Sequence, residues 1–204
     1  MTWNANVPAL ANTISADVPD IEENLACLGP YPKIWVPAGA MLPHLTNGAE
    51  PGQESYSANS IMVEHLSFDG TTKEYATFTY VMPLNWDAGT IKAKFYWDAA
   101  TGASAADGVV WGIQGGSYNN DDAIGSITVG SAQEVTDAVI AVGDLHITSA
   151  TAAVTIGGSP AAGHIIYFIV YRDPTDGSDD MAEDAKLIGV LLQYTIDTAI
   201  ETSW

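Results

Sequence analysis

Positive charge is scarce in this chain. Six lysines and arginines stand against 25 aspartates and glutamates over 204 residues, for a formal charge of −19. A polyanion such as nucleic acid is held by clustered cations that release its counterions. No stretch of the sequence gathers such a cluster, so nucleic acid is not an expected partner. Cysteine is nearly absent. Cys27 stands alone, so no disulfide can form within the chain, and a small buried apolar residue is its ordinary role. A 21.5 kDa chain buries roughly 70% of its unfolded surface without such a staple. Long apolar runs are missing too. The longest, Ile165 to Tyr171, is far short of the ~18 residues that a membrane span needs. Membrane insertion is therefore not expected, and nor is a secretory signal, because no basic stretch leads into an apolar one near Met1.

The motifs of common chemistry are also missing. There is no GxSxG, no phosphate-binding loop and no dinucleotide fingerprint. His44, His65, His146 and His164 fall into no HxH or HxxxH spacing. The adjacent pair Glu64 and His65 would point to opposite faces of a strand, so no metal site and no cofactor are expected. The acidic stretch from Asp173 to Asp184 holds six carboxylates, and crowded carboxylates can hold calcium. Its spacing does not match an EF-hand loop, because Thr175 and Gly177 stand where ligands should, and a solvated hairpin tip is the expected role. A hydrolase using loop acids such as Asp121 and Asp179 is a weaker reading, since nothing fixes two of them across a cleft. The chain reads as a non-enzyme.

What is present divides in two. Residues 1–33 read as a leader, extended at first and then helical over about 18–28. Asp17 can cap the helix, Pro19 fits its first turn, Asp20, Glu22 and Glu23 suit its positive end, and Gly29-Pro30 stops it. Ile21, Leu25 and Leu28 form one narrow apolar stripe. So short a helix is marginal alone, and with Trp3 as a second anchor the stripe is expected to dock on a partner.

Residues 34–204 read as β segments without a long helix. Glu74 to Met82 alternates, with Ala76, Phe78, Tyr80 and Met82 on one face. Ile91, Ala93, Phe95 and Trp97 point one way while Lys92, Lys94 and Tyr96 point the other. This period of two marks a strand with one buried face. Further strands are expected over about 34–37, 60–68, 108–114, 164–172 and 186–197, with 43–57 as a loop. Residues 133–142 fit either helix or strand, with strand favoured because β character resumes at Leu145. The expected fold is all-β, an antiparallel jelly-roll β-sandwich of about eight strands.

Two surfaces stand out. Ile165, Tyr167, Ile169 and Tyr171 lie opposite the core-facing side chains of their strand, as Leu187 and Leu191 do in the last one. Apolar side chains on both faces imply a cover, and another subunit, in a homotrimer, is the expected one. Tyr56, Trp86 and Tyr118 are candidate glycan contacts, as aromatics expected to be exposed.

The segments Ile34-Trp-Val-Pro-Ala-Gly-Ala-Met41, Val81-Met-Pro-Leu-Asn-Trp86, Gly89-Thr-Ile91, Phe95-Tyr-Trp97 and Val110-Trp-Gly112 resemble a jelly-roll module of tailed-bacteriophage structural proteins. Tyr167-Phe-Ile-Val-Tyr-Arg-Asp173, Asp184-Ala-Lys-Leu-Ile-Gly-Val190 and Gln193-Tyr-Thr195 continue the likeness. The leader is similar to the attachment segments of phage fibres and appendages. The resemblance implies a non-enzymatic virion protein, a fibre, tail-appendage or head-decoration component. It would dock on other virion proteins through Trp3, Ile21, Leu25 and Leu28 and present an oligomeric sandwich, with host surface glycan as a further partner. It supplies no catalytic residues. The rival reading of the same residues is a carbohydrate-binding module.

Overall fold

The computed structural model describes residues 31–56 and 61–197. The expected leader helix and its anchors Trp3, Ile21, Leu25 and Leu28 lie outside them. Among the described residues eleven strands form two sheets. The first sheet contains β1 (Lys33–Pro37), β3 (Glu50–Tyr56), β4 (Ile61–Phe68), β6 (Lys92–Ala99), β9 (His146–Ile147) and β11 (Ala185–Gln193). Its order is β3-β4-β11-β6-β9, with β1 also paired to β11. The second runs β2-β5-β10-β7-β8, from β2 (Leu42–Pro43), β5 (Glu74–Val81), β10 (Ile165–Arg172), β7 (Gly108–Tyr118) and β8 (Gln133–Ala138). Every ladder is antiparallel. The two sheets make the expected jelly-roll sandwich.

The alternation written into the sequence places the core. Ala76 and Phe78 from β5, Ala93, Phe95 and Trp97 from β6, and Ile166, Phe168 and Val170 from β10 are all buried. Between the sheets, the Trp111 ring stacks on Phe95 at 5.4 Å and meets Phe68 edge-on at 5.2 Å. Phe78 stacks on Phe168 at 4.9 Å. Residues 133–138 are strand, paired with β7.

Two expectations need correcting. Residues 50–56, read as loop, form β3 on the edge of the first sheet. Its sequence, EPGQESY, lacks an apolar alternation because an edge strand beside polar neighbours buries little, and Pro51 is tolerated there. Leu187, expected on an outer face, is instead fully buried. The register of β11 against β6 shifts between Leu187 and Gly189. That bulge turns Leu187, Val190 and Leu192 all toward the core, where an unbroken period of two would have separated Leu187 from the other two. Leu191, facing outward, is half-buried.

Tyr171 is also covered within the single chain, at 4% exposure. Its hydroxyl donates to Glu134 Oε1 at 2.8 Å, Lys73 Nζ lies 4.0 Å from its ring centre, and Gly112 leaves room for the ring. Tyr167 and Ile169 are half-buried, and Ile165, at 38%, is the exposed member of its row. Contacts inside one copy thus cover most of the face for which a neighbouring subunit was invoked.

The acidic loop after β10 is solvated from Thr175 to Ser178, as expected, but Asp179 and Met181 are buried. Arg172, fully buried, donates from Nε and Nη2 to Asp179 at 3.0 and 2.7 Å. Its Nη1 reaches the carbonyls of Phe68 and Glu183 at 3.2 and 2.6 Å, and Nη2 also reaches that of Met181. Asp179 accepts from the Val110 amide at 2.9 Å, and Asp180 from the Gly108 amide at 2.6 Å. All five guanidinium hydrogens are thereby used, and the loop is fastened across the open end of the core. Removing one partner of such a pair strands the other charge in a dry site. Asp179→Ala should therefore lower stability by about 3–5 kcal/mol, read by urea unfolding, with Arg172→Met/Asp179→Leu recovering much of the loss. A single-variant loss below about 1 kcal/mol would contradict this assignment.

Candidate functional site

The outer face of the first sheet carries the most organised surface. Its central strand, β11, is shared along one edge by two strands: β4 pairs with Ala185 to Leu187, and β1 with Gly189 to Gln193. The other edge pairs with β6 throughout. Three cross-strand rows result. Lys33, Gln193 and Lys92 form one, Trp35, Leu191 and Lys94 the next, and Pro37, Gly189 and Tyr96 the third. Ile34, Val36, Ala93, Phe95, Val190 and Leu192, which alternate with these, are in the core. The rows therefore face away from the core.

Trp35 dominates the face. The described residues include four tryptophans, and Trp86, Trp97 and Trp111 are buried, whereas Trp35 is 45% exposed. Its ring lies against Gly189, where an added Cβ would stand 2.5 Å from Cη2 and Cζ2. It meets the Tyr96 ring edge-on, with centres 5.0 Å apart and planes at 82°. The glycine leaves room for the indole, and the tyrosine braces it edge-on. Beside it lies a groove of about 130 Å³, lined by Lys33, Lys92, Lys94, Tyr96, Leu191 and Gln193 among others.

Further along the same sheet is a second depression, of about 320 Å³, bordered by Tyr56, Val63, Asp98, Leu145 and Ile188. Tyr56 donates its hydroxyl to Asp98 Oδ2 at 2.7 Å, and the Gly143 amide donates to Oδ1 at 2.8 Å. Burial, then the hydrogen bond to Asp98, pushes the Tyr56 phenol above its ordinary range. The phenol stays a donor, and both carboxylate oxygens are occupied. Lys186 pairs with Glu54.

The three aromatics singled out as glycan contacts fare differently. Tyr56 borders the second depression and is half-buried. Tyr118 lines another hollow at the end of β7, and its hydroxyl donates to the Ile124 carbonyl. Trp86 is a correction. It is 2% exposed and sits in the core, because the turn after Pro83 folds back, with the Trp86 amide on the Pro83 carbonyl at 3.0 Å and a bridge to Ile196. Conversely, sequence reasoning passed over Trp35 as a contact. The outward set Lys92, Lys94 and Tyr96 was visible in the alternation of β6, but the pairing that brings Trp35 and Lys33 beside it was not.

Among the described residues no group of three or more histidine, cysteine or acidic side chains is placed to hold a metal ion. No family model and no curated protein matches the chain. Solved structures do. A family 35 carbohydrate-binding module from Clostridium thermocellum is similar at 9% identity and a TM-score of 0.40, over 79% of this chain and 97% of that one. The CBM22-2 xylan-binding domain of Paenibacillus barcinonensis Xyn10C gives 13% and 0.43, over 77% and 92%. A family 11 module from Clostridium thermocellum, solved with a β-1,3-1,4-mixed-linked tetrasaccharide, gives 11% and 0.41, over 78% and 94%. At these values the likeness is one of sandwich architecture, and it transfers no site. These structures are carbohydrate-binding modules, where a phage virion component was expected, and that expectation is corrected accordingly. Of the six residues on which the homotrimer was argued, Leu187 and Tyr171 are buried within one copy, while Ile165, Tyr167, Ile169 and Leu191 keep part of their surface exposed.

The face also contains a titrating group. Burial, and then the nearby Lys186 ammonium, hold the His65 imidazole below its ordinary value of 6.5, against the opposing pull of Glu54 and Asp98. A histidine with a depressed folded value binds its proton more readily when unfolded. Its contribution to stability is therefore present above pH 6.5 and lost as the pH falls toward the folded midpoint. In an NMR titration the His65 midpoint should lie below 6.5 and rise in Lys186→Gln. An unmoved midpoint in that variant would discount the lysine as a cause.

Proposed function

We propose that this chain is a non-catalytic saccharide-binding module that uses the outer face of its first sheet. The observation that carries the reading is Trp35: a half-exposed indole, its six-membered ring set against Gly189 and braced by Tyr96, on a face that also offers amines, an amide and a phenol. A pyranose ring has an apolar face of C–H groups and a rim of hydroxyls. Its recognition calls for an aromatic plane with hydrogen-bonding side chains around it. The three rows supply both on rigid strands, so little ordering cost falls on the protein when a chain binds. The non-catalytic part is supported by the fate of Asp179, whose carboxylate is bound to Arg172 and to the Val110 amide.

The test is a polysaccharide panel read by affinity electrophoresis and by tryptophan fluorescence. Trp35→Ala should weaken binding about 30-fold, the effect of truncating a central aromatic anchor, with an unchanged circular dichroism spectrum. Gly189→Ala, which puts a methyl where the indole rests, should weaken it by a smaller factor through displacement of the ring. Equal binding by wild type and Trp35→Ala would end this reading.

A further inference from the structure

We infer that the saccharide taken by this face is acidic, a polysaccharide bearing carboxylates such as a uronate polymer; the inference rests on the saccharide-binding reading above. Its basis is where the few cations go. All six lie among the described residues. Arg172 is paired with Asp179, Lys73 with Asp173 at 2.5 Å, and Lys186 with Glu54. The three others, Lys33, Lys92 and Lys94, have no carboxylate partner among the described residues, and all three line the groove beside Trp35.

That arrangement is mildly unfavourable where it stands. Like charges gathered on one sheet face repel one another, weakly where water and salt screen them. Lys33 and Lys92 flank Gln193 in one row, so their strands are roughly 10 Å apart, and Lys92 and Lys94 are two residues apart on one strand, about 7 Å. The chain has 25 acids with which to neutralise them, yet the residues lining the groove include none. The carboxylate on the same face of β6, Asp98, has both oxygens engaged by Tyr56 and Gly143. Solubility does not account for the amines, because the acids already supply the net charge. A chain of this charge also repels a polyanion everywhere else. A local cluster of free ammonium groups is then what would admit an acidic polymer and fix its position. The aromatic plane beside the amines separates a sugar acid from a bare anion: the ring takes the pyranose and the lysines take the carboxylates.

The deciding experiment measures binding of the full chain to polygalacturonate, alginate and hyaluronan. Fully methyl-esterified polygalacturonate serves as a matched uncharged polymer and poly-glutamate as a polyanion without sugar. We expect a uronate polymer to bind, the methyl ester to bind at least about tenfold more weakly, and the preference to shrink between 0.05 and 0.5 M salt, over which the screening length falls to roughly 4 Å. Lys33→Gln/Lys92→Gln/Lys94→Gln should lose about tenfold on the uronate polymer, as three solvent-exposed pairs would, and change little on the ester. Trp35→Ala should lose both. If the ester or neutral polymers bind as well as the acids and the triple variant behaves as wild type, the acidic specificity falls while the saccharide reading stands. If poly-glutamate binds as tightly as the uronates, the face reads charge alone and the inference is overturned. If no polymer binds, or the wild type instead self-associates through Trp35, both readings fall.

Discussion

The bulge in β11 is the constraint on which the rest depends. One extra residue between Leu187 and Gly189 in the ladder with β6 falls where the strand changes partner along its other edge, from β4 before it to β1 after it. It turns Leu187, Val190 and Leu192 all into the core. It also places a glycine on the outer surface where the Trp35 ring leaves no room for a side chain. Without that shift the second half of β11 would expose Val190 and Leu192 and bury Leu191 and Gln193, because a one-residue slip exchanges the faces of a strand. Core and candidate site are set by the same irregularity.

Electrostatics are arranged by place rather than by number. One buried cation, Arg172, is fully satisfied and fastens the long acidic loop to the sandwich. Such a pair adds modest stability compared with an apolar replacement, yet it is expensive to break. It therefore specifies where the loop lies. Three other cations are left unmatched on one surface of a strongly acidic protein. The first arrangement gives Asp179, one of the two loop acids that invite a catalytic reading, a structural role. The second gives the outer face of the first sheet a chemistry different from the rest of the surface.

Much of the fold was legible because burial leaves a period. β5, β6 and β10 alternate so regularly that their core residues can be named from the chain alone, and Ala76, Phe78, Ala93, Phe95, Trp97, Ile166, Phe168 and Val170 are all in the core. Where burial is weak the signal fades. The edge strand Glu50–Tyr56 reads as loop, since half-exposed polar positions carry no pattern. Trp86 was expected to be exposed from a loop-like context, and the turn after Pro83 buries it. Leu187 was misplaced because bulges have no sequence period. The resemblance to phage structural modules rested on core and turn residues, which a sandwich of any function shares.

The sequence by itself determined the class of fold, the identity of most of the core and the scarcity of cations, because each follows from local alternation or from composition. It also showed Lys92, Lys94 and Tyr96 on one side of a strand. Only the tertiary structure decided that Lys33 and Trp35, about 60 positions earlier in the chain, stand across β11 from them. Strand order and register are long-range choices, made by packing two sheets over one core, and no stretch of chain encodes them locally. A site assembled from three strands exists only once those choices have been made.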